Sequence, residues 1–306
     1  MNLNEPHDHH YAPQFYLRNF AVDEKQKRIA TLAKHGERAI WQERSIKEIG
    51  YEVDFYVHTE HGVPVCVETD INRRIETPIS ESPTWEKIAT GRTDLLDQAD
   101  RPVLYALVRH LEARTPHYLA SMNELAEMAA DPDSEIPFTE EERAHYAELR
   151  ATPGLDRAML NHMASTTEWA AESYRSSQLV VMRSPIPLRA STTPVLASRA
   201  PAHAAAALPL PGMVPYQLML TLNPTAAVLL VLGDFEGAFA NLEVDVLTAE
   251  GWNRRYLGQF THFNQVRHLI TDRSELLADM EWAGYDLLAE SDSKMSFRQR
   301  AKSGGG

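Results

Sequence analysis

Only one cysteine, Cys66, occurs in the 306 residues, so no disulfide can form within the chain, and a reducing, cytoplasmic compartment is the natural expectation. Long hydrophobic runs are also missing. The most apolar stretch, Leu218 to Leu232, is broken by Asn223-Pro224 and falls short of the ~20 residues a membrane-spanning helix needs. The start, MNLNEPHDHH, has neither the basic nor the apolar region of a secretion signal. Basic residues are outnumbered, 30 against 43, for a net charge of −13, which disfavours non-specific nucleic-acid binding, since that rests on Lys and Arg neutralising phosphates. No GxSxG elbow, HExxH, CxxC or P-loop occurs, which removes the best-marked nucleophile, zinc and nucleotide sites. A soluble protein with no membrane segment is expected.

Charge is unevenly spread. Ser121 to Arg150 is strongly acidic, whereas Ser173 to Gly233 has no Asp or Glu but carries Arg175, Arg183, Arg189 and Arg199. An acid-free stretch bearing arginines suits a phosphate-containing ligand, with Arg189 as a candidate contact; a buried sheet with arginines at strand ends is the plainer alternative.

Hydrophobic periodicity divides the chain into three parts. Residues 11–22 hold Tyr11, Phe15, Tyr16 and Phe20 behind Pro13, a short helix by the preference of Pro for a first turn. RIATLAK and ERAIW flank His35-Gly36 as a hairpin, and GYEVDFYV and VPVCVE read as further strands. From about 68 to 176 the pattern is helical: RPVLYALVRHLEAR, HYLASMNELAEMAA, TEEERAHYAELRA and a longer helix over 154–176. Strands return with QLVVMR, TPVLA, YQLMLTL and AAVLLVLG, with PAHAAAALPLPG as a surface loop. A closing helix is expected over 253–271, then LLADM as a short strand and SFRQRAKSGGG as a basic tail. The expected class is α+β: an N-terminal small antiparallel sheet, a central helical layer, then C-terminal strands and a closing helix. One domain over 1–298 with a disordered tail at 299–306 follows.

The densest chemistry lies at His7-Asp8-His9-His10, followed by Tyr11. Neutral imidazole binds divalent metals and acts as a general base near neutral pH, so His9 and His10 are candidate ligands or bases. Alternatively, one histidine caps the next helix and the others are solvated. In GYEVDFYV, strand alternation puts Asp54 and Tyr56 on one face if Val53, Phe55 and Val57 point inward. Glu68 and Glu76, eight residues apart on a candidate helix, are further carboxylates. Arg114-Thr115-Pro116 stands where one helix ends; Thr115 would cap the next while Arg114 reaches for a carboxylate or braces the junction. Cys66 reads as a small apolar residue within a strand.

The run HHYAPQFYLRNFA at 9–21 resembles the opening HHYxPxFYLRxF of a bacterial family, domain of unknown function 4238. The resemblance continues through DFY at 54–56, Glu76, RTP at 114–116, Ser-Thr-Thr-Pro-Val at 191–195, NP at 223–224 and Asn264 in the last helix. It implies these positions as candidates, Asn264 and Tyr11 among the binding residues, and it implies no reaction. Where the family reads Ser-Asp-Asn-Pro, this chain has Thr192 and Thr193; were that Asp catalytic, this chain would lack it or use another residue.

Two functions are expected on these grounds. One is a metal-assisted hydrolase, a nuclease-like bacterial effector, with a divalent ion on His9 or His10 and Asp54 or Glu76 as carboxylate. HHYxP is similar to the first His strand of HNH nucleases, although their later Asn and His do not follow. The other is a non-catalytic binding or regulatory protein in which the His-Tyr-Pro-Phe run is a structural plug braced by Arg114. Convergence of His9, His10, Asp54 and Arg114 would be the decisive geometry.

Overall fold

A computed structural model describes residues 7–134, 136–166, 174–199, 216–233, 235 and 237–300. The opening run forms strand β1 (Asp8–His10) and a helical turn, α1 (Gln14–Leu17), preceded by Pro13. The expected hairpin is β2 (Arg28–His35) and β3 (Arg38–Ser45), reversing through Gly36. GYEVDFYV, in contrast, is not one strand. β4 (Tyr51–Val53) pairs with β1, and the chain then turns through Asp54, Phe55 and Tyr56 before the hairpin β5 (Val57–Glu60) and β6 (Val63–Cys66). Asp54 takes a φ of 54°, a left-handed conformation that Asp tolerates better than most residues, and this breaks the alternation. Val53 consequently faces solvent while Phe55 and Tyr56 are both buried.

α2 (Glu68–Ile71) runs through a π-helical stretch, Asn72–Glu76, into α3 (Thr77–Ser80). Pro78 accounts for the wide turn: it has no N–H to give, and its ring would collide with the carbonyl four residues back. Next come α4 (Pro83–Ala89), α5 (Arg101–Glu112), α6 (Pro116–Ala130), α7 (Glu140–Ala151) and α8 (Leu155–Ser165). Thr115 caps α6 by accepting from the Tyr118 N–H, as the sequence suggests. Of the helix expected over 154–176, α8 ends at Ser165 with Thr166 extended, residues 167–173 lie outside the described residues, and Tyr174 and Arg175 are helical.

The C-terminal part contains β7 (Ser177–Arg183), β8 (Ala190–Ser191), β9 (Val195–Arg199), β10 (Tyr216–Asn223), β11 (Ala226–Leu232) and β12 (Phe239–Glu243). After them come α9 (Val246–His262), β13 (His268–Ile270), α10 (Leu276–Trp282), β14 (Tyr285–Ser291) and β15 (Lys294–Gln299). The closing helix thus starts at an Asp245 cap and ends at His262, which leaves Asn264 in the turn beyond it rather than inside a helix. LLADM is helical, with Leu276 and Met280 buried one turn apart, and Ser296 to Gln299 belong to a strand rather than a tail. The expected loop over 201–212 and residues 301–306 lie outside the described residues.

A mixed α+β fold results. A five-stranded sheet has the order β12-β7-β11-β10-β9, and its central strands β10 and β11 are buried on both faces. Leu218, Leu220, Val228 and Leu230 pack on the side of Leu104, Leu107 and Leu111 of α5. Met219 and Ala227 face the opposite way, toward Trp252, Tyr256 and Phe260 of α9. Burial on both faces is why YQLMLTL and AAVLLVL read as continuous apolar runs instead of alternating ones. A six-stranded sheet, β14-β15-β3-β2-β13-β8, joins the N-terminal hairpin to the C-terminal one, Met295 pairing with Trp41. Among the described residues, no helix is long and apolar enough to cross a membrane.

Candidate functional site

Arg114 follows directly on α5, four residues after His110 and hence on the same face of the helix end. Its side chain is 0% exposed. Nε donates to the Tyr56 hydroxyl at 2.8 Å, and the terminal nitrogens donate to Glu76, to His110 Nε2 and to the His10 carbonyl. The Tyr56 hydroxyl in turn donates to the Arg114 carbonyl at 3.3 Å. A buried guanidinium without partners would be prohibitively costly, and the arrangement answers this with one carboxylate and three neutral acceptors. Burial opposes the charge, but Tyr56, Glu76 and Glu68 outweigh it and hold Arg114 protonated.

Both carboxylates come from the bulged helix. Eight residues exceed two turns at about 3.6 residues per turn, and the π-helical turn takes up the excess, so Glu68 and Glu76 both approach Arg114. Glu76 takes the ion pair. Burial pushes the Glu68 carboxyl up to about 7, Glu76 adding to the rise and Arg114 opposing it. Glu68 Oε2 is buried with no hydrogen-bond partner. His110, which sequence reasoning passed over, is held well below its ordinary pKa by burial and by Arg114, so it is neutral and accepts from the guanidinium. Its signal was available: in RHLEAR, His110 and Arg114 stand one helical turn apart.

His9 is buried, and its Nδ1 accepts from the Tyr56 backbone N–H at 2.9 Å. That fixes the neutral tautomer with the proton on Nε2, which lies 3.6 Å from Cys66 Sγ. The imidazole stacks on the Tyr56 ring at a centroid distance of 5.7 Å. Cys66 ends β6 and is partly buried against this ring. His10 is the next residue of β1 and so projects to the opposite face, against Tyr51. Burial lowers its pKa, and Nε2 has no hydrogen-bond partner. Neither histidine caps α1, whose cap is Pro13. Among the described residues, no group of three or more His, Cys, Asp or Glu is placed to hold a metal ion. Strand alternation sends the two imidazoles to opposite faces of β1.

The remaining candidates lie elsewhere. Asp54 sits outside the cluster, paired with His7 Nδ1 at 2.8 Å on the surface. Arg189 is buried in another part of the fold, donating to Thr271 Oγ1 at 3.1 Å and to Asp279. Arg183 pairs with Glu243 at 3.0 Å. Acids from outside the acid-free stretch therefore neutralise these two arginines. Tyr11 and Asn264 meet at a separate cleft of about 910 Å³ between the β2–β3 hairpin, β4 and the turn after α9. Thr192, fully buried, stands beside the Tyr11 hydroxyl.

What geometry brings together is thus His9, Tyr56, Glu76 and Arg114, joined by Glu68 and His110: a proton-rich, charge-compensated cluster that can store or pass a proton but presents little to solvent. No curated protein and no solved structure matches the chain. Residues 8–227, well over half of the sequence, match the family described as protein of unknown function (DUF4238), and the opening HHY run, DFY, Glu76 and RTP all fall within that match. The chain belongs to this family.

Proposed function

We propose that this chain is a non-catalytic binding or regulatory protein whose His-Tyr-Pro-Phe opening is a structural plug. One observation carries the reading: Arg114, wholly buried, spends its donors on Tyr56, Glu76, His110 and the His10 carbonyl, all internal to the fold. His9 is likewise committed, clamping β1 to the Tyr56 turn. Groups used this way hold four segments together and have little left for a substrate. A cytoplasmic setting suits the single thiol, Cys66.

The test is thermal unfolding of the His9→Gln/His10→Gln protein with and without added Zn²⁺ or Mn²⁺. A lower Tm, with no metal-dependent shift in either protein, is expected, because a buried donor or acceptor left unsatisfied costs about 1–3 kcal/mol. A metal-dependent rise in the natural chain that disappears in the double variant would overturn the reading.

A second reading, a hydrolase of the metal-assisted or nuclease-like kind, has one observation in its favour. Glu68, pushed up to about 7 beside Glu76, resembles the paired carboxylates that catalytic sites use as acid and base. Stoichiometric metal uptake lost in Glu76→Gln would favour it.

A further inference from the structure

The acid-free stretch is rich in arginine, but three cations that share one cleft lie outside it. Lys34, Arg44 and Arg267 all line the cleft that holds Tyr11 and Asn264. The Lys34 N–H donates to the Arg267 carbonyl at 3.0 Å, which brings the hairpin and the turn after α9 side by side. Lys34 Nζ donates to the Phe263 carbonyl at 3.1 Å and lies 4.9 Å from the centre of the Phe260 ring. Arg44 approaches His35 Nε2 at 3.3 Å, another residue of the cleft wall. Among the described residues, none of these three cations has a carboxylate within 4.0 Å, whereas Arg28, Arg183, Arg189 and Arg273 each have one.

Cations that outnumber the carboxylates around them leave a net positive charge, which favours a negative ligand. His268, in the same wall, records that field: burial first, then Arg44, Arg267 and His35, hold its pKa down to about 3, and its Nδ1 is buried with no hydrogen-bond partner. Lys34 is lowered to about 8 by burial alone. Two carboxylates, Glu48 and Glu52, line the cleft as well, and Glu52 lies near the Tyr11 hydroxyl. They leave an excess of positive charge.

We propose that this cleft binds a small organic phosphate, with the phosphoryl group taken by Arg44 and Arg267 and its charge completed by Lys34. Planar guanidinium forks suit phosphate oxygens, and three cations suit a group bearing about two negative charges better than a single carboxylate. The cleft volume of about 910 Å³ leaves room for the organic part, beside Tyr11 and Tyr51 and under the Asn264 amide. The assignment deepens the proposed binding function by naming the ligand class, and it rests on residues distinct from the Arg114 cluster.

Titration calorimetry with adenosine 5′-monophosphate, glucose 6-phosphate and uncharged adenosine tests it on the full chain. At least one phosphorylated probe is expected to bind, adenosine is not, and added salt should weaken binding by screening. Arg44→Gln and Arg267→Gln should each reduce affinity about tenfold or more, the equivalent of roughly 1.4 kcal/mol. Arg28→Gln, which removes a surface cation of the same hairpin outside the cleft, should leave affinity unchanged. Both cleft arginines are at least partly solvent-exposed, so the variants are expected to fold, and circular dichroism checks this. The proposal falls if neither phosphorylated probe binds the natural chain, or if binding survives in the Arg44→Gln/Arg267→Gln protein. Release of inorganic phosphate from a bound probe would support the cleft while overturning the non-catalytic reading, so the two fail separately.

Discussion

At the scale of single residues, Glu68 offers the sharpest test of the cluster. Its carboxyl, ordinarily near 4.5, is pushed up to about 7 by burial. Between those values the folded chain keeps a proton that the unfolded chain releases, so stability is full below about pH 4.5 and is lost as pH rises through about 7. Glu68→Gln removes the titration while keeping the shape. The variant should be close to the natural chain at pH 5 and more stable at pH 8, by an amount on the order of 2–3 kcal/mol. Urea denaturation at the two pH values measures this, and an equal difference at both would contradict the buried, raised carboxyl. The same scale shows what was readable in advance. His9, Tyr56, Glu76 and Arg114 belong to short polar motifs in apolar surroundings, and the fold unites them. Asp54 belonged to such a motif too, but a single positive φ turns it to the surface, and nothing in GYEVDFYV announces that turn. Lys34, Arg44 and Arg267 were unreadable for the opposite reason. They are ordinary charged residues, and only their positions in the folded chain reveal that they lack a carboxylate partner.

Elements were most legible where a helix carries its own start signal. α5 opens at Arg101-Pro102 and α6 at Thr115-Pro116, and both lie where the sequence places them. Errors cluster at the C-terminal end, where local signals are ambiguous. LLADM is too short an apolar run to separate strand from helix, and the true helix gains its identity from Leu276 and Met280 reaching the same core. Ser296 to Gln299 look like a basic tail because only Met295 and Phe297 of β15 point inward. Their strand character comes from pairing on both sides, with the neighbouring β14 and with β3, a partner more than 250 positions away in sequence. Phe297→Ala tests that strand. With its side chain only 1% exposed and packed in the second core cluster, the change should cost about 3–5 kcal/mol. Chemical denaturation measures the loss. A cost below about 1 kcal/mol would mean that β15 is only loosely packed on that core.

For the whole molecule, the five-stranded sheet determines how the parts depend on one another. Alternate residues of β10 enter different cores: Leu218 and Leu220 join the cluster of α5, and Met219 joins that of α9. β11 divides in the same way, with Val228 and Leu230 on one side and Ala227 on the other. Neither core can come apart without exposing the opposite face of the strands that serve both. The β2–β3 hairpin strengthens the coupling, since Ile29 packs in the first cluster while Leu32 and Trp41 pack in the second. Chains of this length commonly unfold through intermediates, which a helical half and a strand-rich half would favour. Shared strands predict the reverse, a single cooperative transition. Leu107→Ala in the first core and Phe260→Ala in the second should therefore each displace the whole calorimetric transition to lower temperature without splitting it. Each is expected to cost about 2–5 kcal/mol. If either variant instead produced two separated transitions, the two clusters would be independent folding units, and the sheet between them would be a contact rather than a common core.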